Sequence, residues 1–424
     1  MRELKVYIER DGKQIPAGRI AGEGYADASF AYTKDYLDSA DAAPISILLP
    51  LKEEPFTPER TKNFFESLLP EGFSRKAVAD WMKIDEKDYI SILAELGKEC
   101  LGAIKIIEGT NDEALGYELL SDERVKALAE EGATKSTKIL LETHLSLTGA
   151  TGKVGLYYDS ESGNWYLPIG DAPSTHIVKQ SHVRLKKIVL NEQLCMKTAG
   201  KLGINVPETF IISQQSKDDE NLLFAIARYD RVLSDEKVID GLKCPYRLHQ
   251  EDFAQALGIF AADKYELKPS GYLAGMFELI RNNSSSPLED QTELLKMIIF
   301  NYLTGNTDCH VKNFSLLYSK DLKSKRLAPA YDLIATRVYR MTSNMSFYIG
   351  GELNIENITR NCFARAASEI GLSEKIVLKN FDELADGFET AISEAANELS
   401  EVGFKNALDM KDEIIKSGGY GMLG

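Results

Sequence analysis

Leu4, Val6 and Ile8 alternate with charged or polar neighbours at the start of the chain, the period-two pattern of a strand with one buried face. The DGKQ segment from Asp11 supplies a turn, and APISILLPL from Ala43 reads as a buried strand, so the first fifty residues predict a small β meander. From Glu59 the spacing becomes helical. Phe64, Phe65, Leu68 and Leu69 share a face, Val78 and Trp81 follow, and Ile90, Leu93 and Leu96 come after an Asp85 N-cap and stop at Gly97. A β-plus-α domain therefore closes near residue 108. Glu113 to Gly132 holds an amphipathic helix in a connecting segment. Beyond it VGLYYD, NWYLP, THIVKQ, ETFIIS and LLFAIARYD are short β-rich runs, interrupted by one helical stretch from Asn191 to Leu202. After Arg231 the period turns helical again. Phe253, Leu257 and Phe260 follow Glu251-Asp252, and Leu294, Leu295, Ile298, Ile299, Tyr302 and Leu303 stripe a helix that stops at Gly305. The run from Asn282 reads as a loop and the GGYGMLG end as a loose tail; no repeat of 20–50 residues is visible.

Composition narrows this picture. A chain of 424 residues exceeds one ordinary core, and 44% hydrophobic with 27% charged residues marks a globular protein. Fifty Lys and Arg against 65 Asp and Glu leave a net charge of −15, the wrong sign for gripping DNA or an anionic bilayer directly. Cys100, Cys195, Cys244, Cys309 and Cys362 form no CxxC pair and read as free thiols of a reducing compartment. With no apolar run long enough for a membrane span or a leader, the chain is expected in the cytoplasm.

The chemistry concentrates in a few places. NTDCHVKN places Asp308 and Asn313 five apart after a helix end, the D-x-x-x-x-N spacing that sets a proton acceptor beside a metal ligand. The spacing also arises by chance. Asp332, in LAPAYDLIAT, is a second acid for Mg²⁺, or else an Asx-turn or helix-capping aspartate. SLTGATGK, Ser146 to Lys153, is either a hairpin turn or a loop whose N–H groups cradle phosphates, and it is not a Walker A motif. Lys179 sits on a strand and Glu192 at a helix start, as a phosphate-holding lysine and its glutamate would, though an exposed strand lysine is the simpler account of Lys179 alone. In order, these are the parts of a two-lobed kinase. His249, Glu251 and Asp252 resemble a metal cluster but suit capping and bracing better; His144, His176 and His182 are scattered. Cys309 reads as a packing residue, and Lys320, Lys323, Lys325 and Arg326 as a solvated hairpin.

At this point the chain resembles the HipA-type serine/threonine kinase toxins of bacterial toxin–antitoxin systems. FFESLLPEG, LAELGKECLGAI, SLTGATGK, PSTHIVK, NEQLCMKTAGKLGINVP, ARYDR, RLHQEDFAQALG, NYLTGNTDCHVKNFSLL and LAPAYDL stand in that family's order and span nearly the whole sequence. The resemblance implies an α+β fold: an N-terminal β-rich domain (1–108), a β-rich kinase N-lobe (109–230) and a mainly helical C-lobe (231–424). It implies transfer of the ATP γ-phosphoryl group to a serine or threonine of a cytoplasmic protein, with an aminoacyl-tRNA synthetase as the leading target. Asp308 is then the base, and Asn313 and Asp332 hold Mg²⁺. Thr148, Gly149, Ala150, Thr151, Gly152, Lys153 and Lys179 bind phosphates, with Glu192 on the lysine. His310 and Lys312 line the same site. Arg228 and Tyr229 lie by the adenine, Asp230 lies toward the ribose, and Ser146 is autophosphorylated.

The implied partner is a small helix-turn-helix antitoxin, with DNA reached only through it and no membrane involved. Two departures stand out: GATGK replaces the more usual GAQxK, and Ala227 replaces an acidic residue before the arginine. Both leave the backbone groups in place. The alternatives are a small-molecule kinase on the same scaffold and a non-catalytic co-repressor.

Overall fold

A two-residue turn sets the first register. Asp11 and Gly12 both have positive φ, 50° and 75°, the type I′ geometry that matches the twist of a hairpin. It joins β1 (Arg2–Arg10) to β2 (Lys13–Gly22); β3 (Ser29–Tyr32) adds outside β2, and β4 (Ile104–Ile107) returns to pair with β1, giving the order β3-β2-β1-β4. Leu4, Val6 and Ile8 are fully buried, as the alternation predicts. The computed structural model describes residues 2–109, 114–130, 153–180, 185–213 and 221–423.

Against this sheet lie α1 (Pro58–Glu66), α2 (Gly72–Met82) and α3 (Tyr89–Leu96). Thr57 caps α1 and Pro58 opens it, so Phe64 and Phe65 are delivered to the core. Asp88, and not Asp85, caps α3; Asp85 instead accepts from Lys87 N–H in the turn before it. Val78 is buried but Trp81 points outward at 59% exposure, so the two do not share a face.

The apolar run from Ala43 is buried at Ala43, Ile45 and Leu49 without being a strand. Its backbone is bonded by side chains from far away in sequence. Ile45 N–H donates to the Tyr32 hydroxyl (2.9 Å), the Ile45 carbonyl meets His249 Nε2 (2.8 Å), and Ser46 Oγ donates to Glu251 (2.7 Å). Hydrophobicity predicts burial there, but not what satisfies the backbone.

The second sheet follows. After β5 (Gly116–Leu119) and a helix α4 over 122–130 come β6 (Lys153–Asp159), β7 (Asn164–Ile169), β8 (His176–Gln180), α5 (Ile188–Lys201), β9 (Thr209–Ser213) and β10 (Leu222–Ala227). The strand order is β5-β7-β6-β8-β10-β9, with β6 antiparallel to both β7 and β8.

Residues 231–252 are not helical. They form short strands β11 (Arg231–Val232), β12 (Val238–Ile239), β13 (Leu242–Lys243), β14 (Tyr246–Arg247) and β15 (Gln250–Asp252), turning at Asp240 and Gly241 in left-handed backbone. Helix α6 (Phe253–Leu257) begins at a capping box between Asp252 and Gln255 and ends at Gly258, so Phe260 lies beyond it. Asp252 thus caps and Glu251 braces, as expected.

The remainder is mainly α: α7 (Tyr272–Asn283), α8 (Pro287–Thr304), α9 (Arg360–Ile370), α10 (Glu374–Glu401) and α11 (Asn406–Ser417), with β16 (Ser315–Tyr318), β17 (Lys325–Leu327), β18 (Asn344–Ile349) and β19 (Glu352–Asn354) between α8 and α9. The C-terminal segment is not loose. Gly419 packs so closely on Tyr302 that a Cβ would lie 2.6 Å from its ring, and the Tyr420 ring sits 5.0 Å from that of Phe388. Among the described residues no helix is long and apolar enough to cross a membrane.

Two compact units emerge. Met1–Gln180, Ala225–Ala261 and Leu317–Lys325 make the first, and Ser181–Phe224, Ala262–Leu316 and Arg326–Gly424 the second. Compactness thus joins the N-terminal domain to much of the second sheet, and residues 108 and 230 each fall between two strands.

The first unit is organised around buried charge. Arg228 reaches Glu99 (3.0 Å) and Asp230 (2.9 Å), Arg231 reaches Glu99 (2.7 Å), and Gly102 N–H donates to Asp230 (2.7 Å). These four side chains are 1–3% exposed. Beside them Arg247 N–H donates to Glu9 (2.7 Å). Burial would raise the Glu99 pKa, but the pull of Arg228 and Arg231 outweighs it and holds the carboxyl below its ordinary value.

Replacing one member leaves the others uncompensated in the interior, so Glu99→Gln is expected to lower unfolding free energy by about 3–5 kcal/mol. Urea titration measures it. Because the Glu99 pKa is depressed on folding, its contribution is complete above roughly pH 4.3 and is lost as pH falls through the folded-state value. The variant's deficit should therefore shrink in acid, and an equal deficit at all pH values would contradict the assignment.

Candidate active site

Helix α8 ends because Gly305 turns left-handed (φ 74°) where a Cβ would stand 2.9 Å from the Gly418 Cα. The chain leaves this point as the Asn306–Asn313 loop, whose conformation is set by bonds to its own side chains. Asn306 Nδ2 donates to Asn301 Oδ1 (2.7 Å) and to the Asp332 carbonyl (3.3 Å), while Asn306 Oδ1 accepts from Asp308 N–H (3.2 Å). Asn313 Nδ2 donates to the Asp308 carbonyl (2.9 Å), closing the loop on itself. Thr307 is pinned through N–H and hydroxyl to the Thr336 hydroxyl, both at 2.8 Å. Asp308, Asn313 and the Asp332 backbone, up to 24 positions apart, are thereby brought into one network.

His310 and Lys312 are buried in the same loop. The Tyr331 hydroxyl donates to the Lys312 carbonyl (2.9 Å), and the Tyr265 hydroxyl donates to Asp308 Oδ1. Cys309 is buried, and burial pushes its thiol up to about 12, which fits a packing residue.

Asp332 has φ 59°, a left-handed conformation that a non-glycine residue adopts at a cost. It caps no helix, since the following 3₁₀ turn Thr336–Tyr339 starts after Ala335. The strained backbone is held from both sides: Ala330 N–H donates to the Asn205 carbonyl (2.8 Å), and Asn191 Oδ1 accepts from Ala335 N–H (2.9 Å). Asn313 and Asp332 offer oxygen donors only, and with the Asn313 amide nitrogen on Asp308, its Oδ1 is the end left for a cation. That chemistry suits Mg²⁺, which completes its shell with water and phosphate oxygens. Among the described residues no group of three or more His, Cys, Asp or Glu could hold a metal unaided.

The two lysines expected to bind phosphates, Lys153 and Lys179, lie in the first unit. Lys153 on β6 lies directly opposite Lys179 on β8 in an antiparallel register, so both project from one face of the sheet. Like charges so placed repel unless an anion lies near them. Ser146, Thr148, Gly149, Ala150, Thr151 and Gly152 lie outside the described residues, as do His144 and His182. Glu192 is buried in α5, which belongs to the second unit. Arg228 and Asp230 have their side chains engaged in the buried network, where they brace the N-terminal domain; the Tyr229 hydroxyl donates to Gln250. His176 packs edge-on against Tyr158 and Trp165, and burial lowers its pKa to about 4.

Three residues escape a sequence reading. Asn306 stands within the motif but outside its spacing rule. Asn191 precedes the expected glutamate and clamps Ala335 by both ends of its amide (2.9 and 3.1 Å). Tyr265 comes from a loop over forty residues away and carries no local signal.

Known proteins resemble the chain in both sequence and fold. The model of the HipA N-terminal domain matches residues 5–107, and that of the HipA-like C-terminal domain matches residues 145–392. The protein Y4mE of Sinorhizobium fredii, which carries a kinase name, is 30% identical over 407 residues, covering 94% of this chain and 93% of its own. The serine/threonine-protein kinase toxin HipA of Shewanella oneidensis is 25% identical over 393 residues, 89% and 86% of the two chains. A solved complex of Shewanella oneidensis HipA, HipB and operator DNA contains a chain that superposes with a TM-score of 0.79 at 22% identity, over 98% of this chain and 96% of that one.

Asn306 is expected to be the joint of this site. Asn306→Ala leaves the buried Asn301 amide oxygen without its donor and should cost about 1–3 kcal/mol of stability. Thermal unfolding of the variant checks this; an unchanged midpoint would show that the loop holds without it.

Proposed function

The chain belongs to the HipA family, and from that membership we propose that it is an ATP- and Mg²⁺-dependent serine/threonine protein kinase, the toxin of a toxin–antitoxin pair. The observation that carries this reading is the Asn306 network, which ties Asp308 to Asn313 and to the backbone of Asp332. Asp308 takes the proton of the acceptor hydroxyl. Asn313 and Asp332 hold Mg²⁺, which neutralises charge on the nucleotide phosphates when bound. Lys153 and Lys179, on one sheet face, meet phosphate oxygens, together with backbone groups of Thr148–Gly152 and with Glu192 orienting the lysine; His310 and Lys312 shape the wall. Such a site works by positioning and electrostatics rather than covalent chemistry.

The acceptor is a serine or threonine of a cytoplasmic protein, an aminoacyl-tRNA synthetase being the leading candidate. The partner is a basic helix-turn-helix antitoxin that carries the DNA contact, which the net charge of −15 favours delegating. Ser146 is the autophosphorylation site. A phosphate there adds about −1.5 to −2 charges beside a loop that must itself hold phosphates, which switches the kinase off.

Asp308→Gln and Asp332→Gln should each lower phosphate transfer from labelled ATP by several powers of ten, on the order of the loss of a positioned base or metal acid. Mass spectrometry after incubation with ATP should find phosphate on Ser146 in the unaltered chain and none in Asp308→Gln. Near-normal labelling by a folded Asp308→Gln protein would overturn the assignment.

A further inference from the structure

The Tyr265 hydroxyl donates to Asp308 Oδ1. Neither residue is placed by accident. Glu266, the next residue, is buried, and its carboxylate accepts from Ser270 N–H (2.6 Å), Tyr272 N–H (3.2 Å) and Tyr348 N–H (3.0 Å). Its own N–H donates to the Ser346 carbonyl (2.8 Å), and Ser346 Oγ donates to the Thr307 carbonyl (2.9 Å), one residue before Asp308. Strand β18 thus holds the Tyr265 loop with one set of bonds and the Asp308 loop with another. The phenol ring also stands edge-on to His310, with centroids 5.4 Å apart, and is 39% exposed. An exposed aromatic residue held this firmly serves something beyond core packing.

Asn306 and Asn313 act on the Asp308 main chain, through its N–H and its carbonyl, whereas the Tyr265 hydroxyl acts on its carboxylate. We propose that Tyr265 is a positioning residue: its hydroxyl fixes one carboxylate oxygen of Asp308, so that the other faces the acceptor hydroxyl. This rests on the reading of Asp308 as the base. A base held in one orientation raises kcat without adding affinity for either substrate, because the ordering is present before the reaction begins. The proton path is unchanged: it moves from the acceptor hydroxyl to the second Asp308 oxygen as the acceptor oxygen bonds phosphorus and the bond to the ADP leaving oxygen breaks.

Tyr265→Phe removes only the hydroxyl and keeps the ring on His310. Steady-state kinetics on the full chain, with ATP·Mg²⁺ and an acceptor protein, should show kcat reduced about tenfold and both KM values within about twofold, the pattern of an interaction that matters only in the transition state. A higher KM for the acceptor at unchanged kcat would overturn the proposal, because the hydroxyl would then merely hold the acceptor's place. Unchanged kinetics would overturn it as well.

A second measurement is independent of activity. In urea unfolding, Tyr265→Phe and Asp308→Ala, alone and combined, should be non-additive, as two groups in direct contact are. An additive cycle would show that Tyr265 does not hold Asp308. If the unaltered chain transfers no phosphate, the kinase reading is what fails, and the cycle alone decides the contact.

Discussion

Four charges leave water together at Glu99, Arg228, Asp230 and Arg231, and much of the first unit is arranged so that none is left alone. Glu99 and the Cys100 carbonyl follow α3, Gly102 N–H comes just before β4, and the arginines and Asp230 follow β10. Segments about 130 residues apart meet through two cations and two anions. Such a cluster adds little net stability over an apolar one but penalises every arrangement in which a member loses its partner. It therefore fixes where the N-terminal domain meets the end of β10, and a second pair, Glu9 with Arg247, fixes the neighbouring strands in the same way. The ARYDR motif draws its residue types from this demand.

The second unit solves a different problem, that of holding main chain in place around two half-buried acids, Asp308 and Asp332. Its devices are side-chain amides and hydroxyls bonded to backbone: Asn306, Asn313, Asn191 and the Thr307–Thr336 pair. Each fixes main chain without adding charge beside Asp308. The left-handed backbone at Asp332 is tolerated because the bonds at Ala330 and Ala335 hold the residues on either side of it. Ordering of this kind makes a charge-stabilising site effective, since little remains to be reorganised when the substrate arrives.

What could be read from sequence follows from which signals are local. The hairpin at Asp11-Gly12, the stripe and Gly305 stop of α8, and the β-rich runs of the second sheet depend on neighbours within a few positions, and all are present. Three of the departures share one cause, that long-range partners decided the outcome. Ala43, Ile45, Ser46 and Leu49 are buried in an irregular segment because Glu251, His249 and Tyr32 supply its hydrogen bonds; residues 231–252 stay extended around the buried charges; and the glycine-rich C-terminus is ordered by Tyr302 and Phe388. The D-x-x-x-x-N spacing picks out Asp308 and Asn313, which one loop bonds to each other, because a loop of fixed length is a local object. Tyr265 could not be found in this way, because its relation to Asp308 exists only after β18 has brought two loops together.

The claim on which the account stands is that Asp308 directs phosphate from ATP onto protein. Its most direct measurement is incubation of the full chain with γ-labelled ATP·Mg²⁺ and cell lysate beside the Asp308→Gln variant, followed by identification of the labelled residues. The account predicts phosphoserine or phosphothreonine on a discrete cytoplasmic protein with the unaltered chain and none with the variant. Label carried only by small molecules, or an identical protein pattern from both chains, would contradict it.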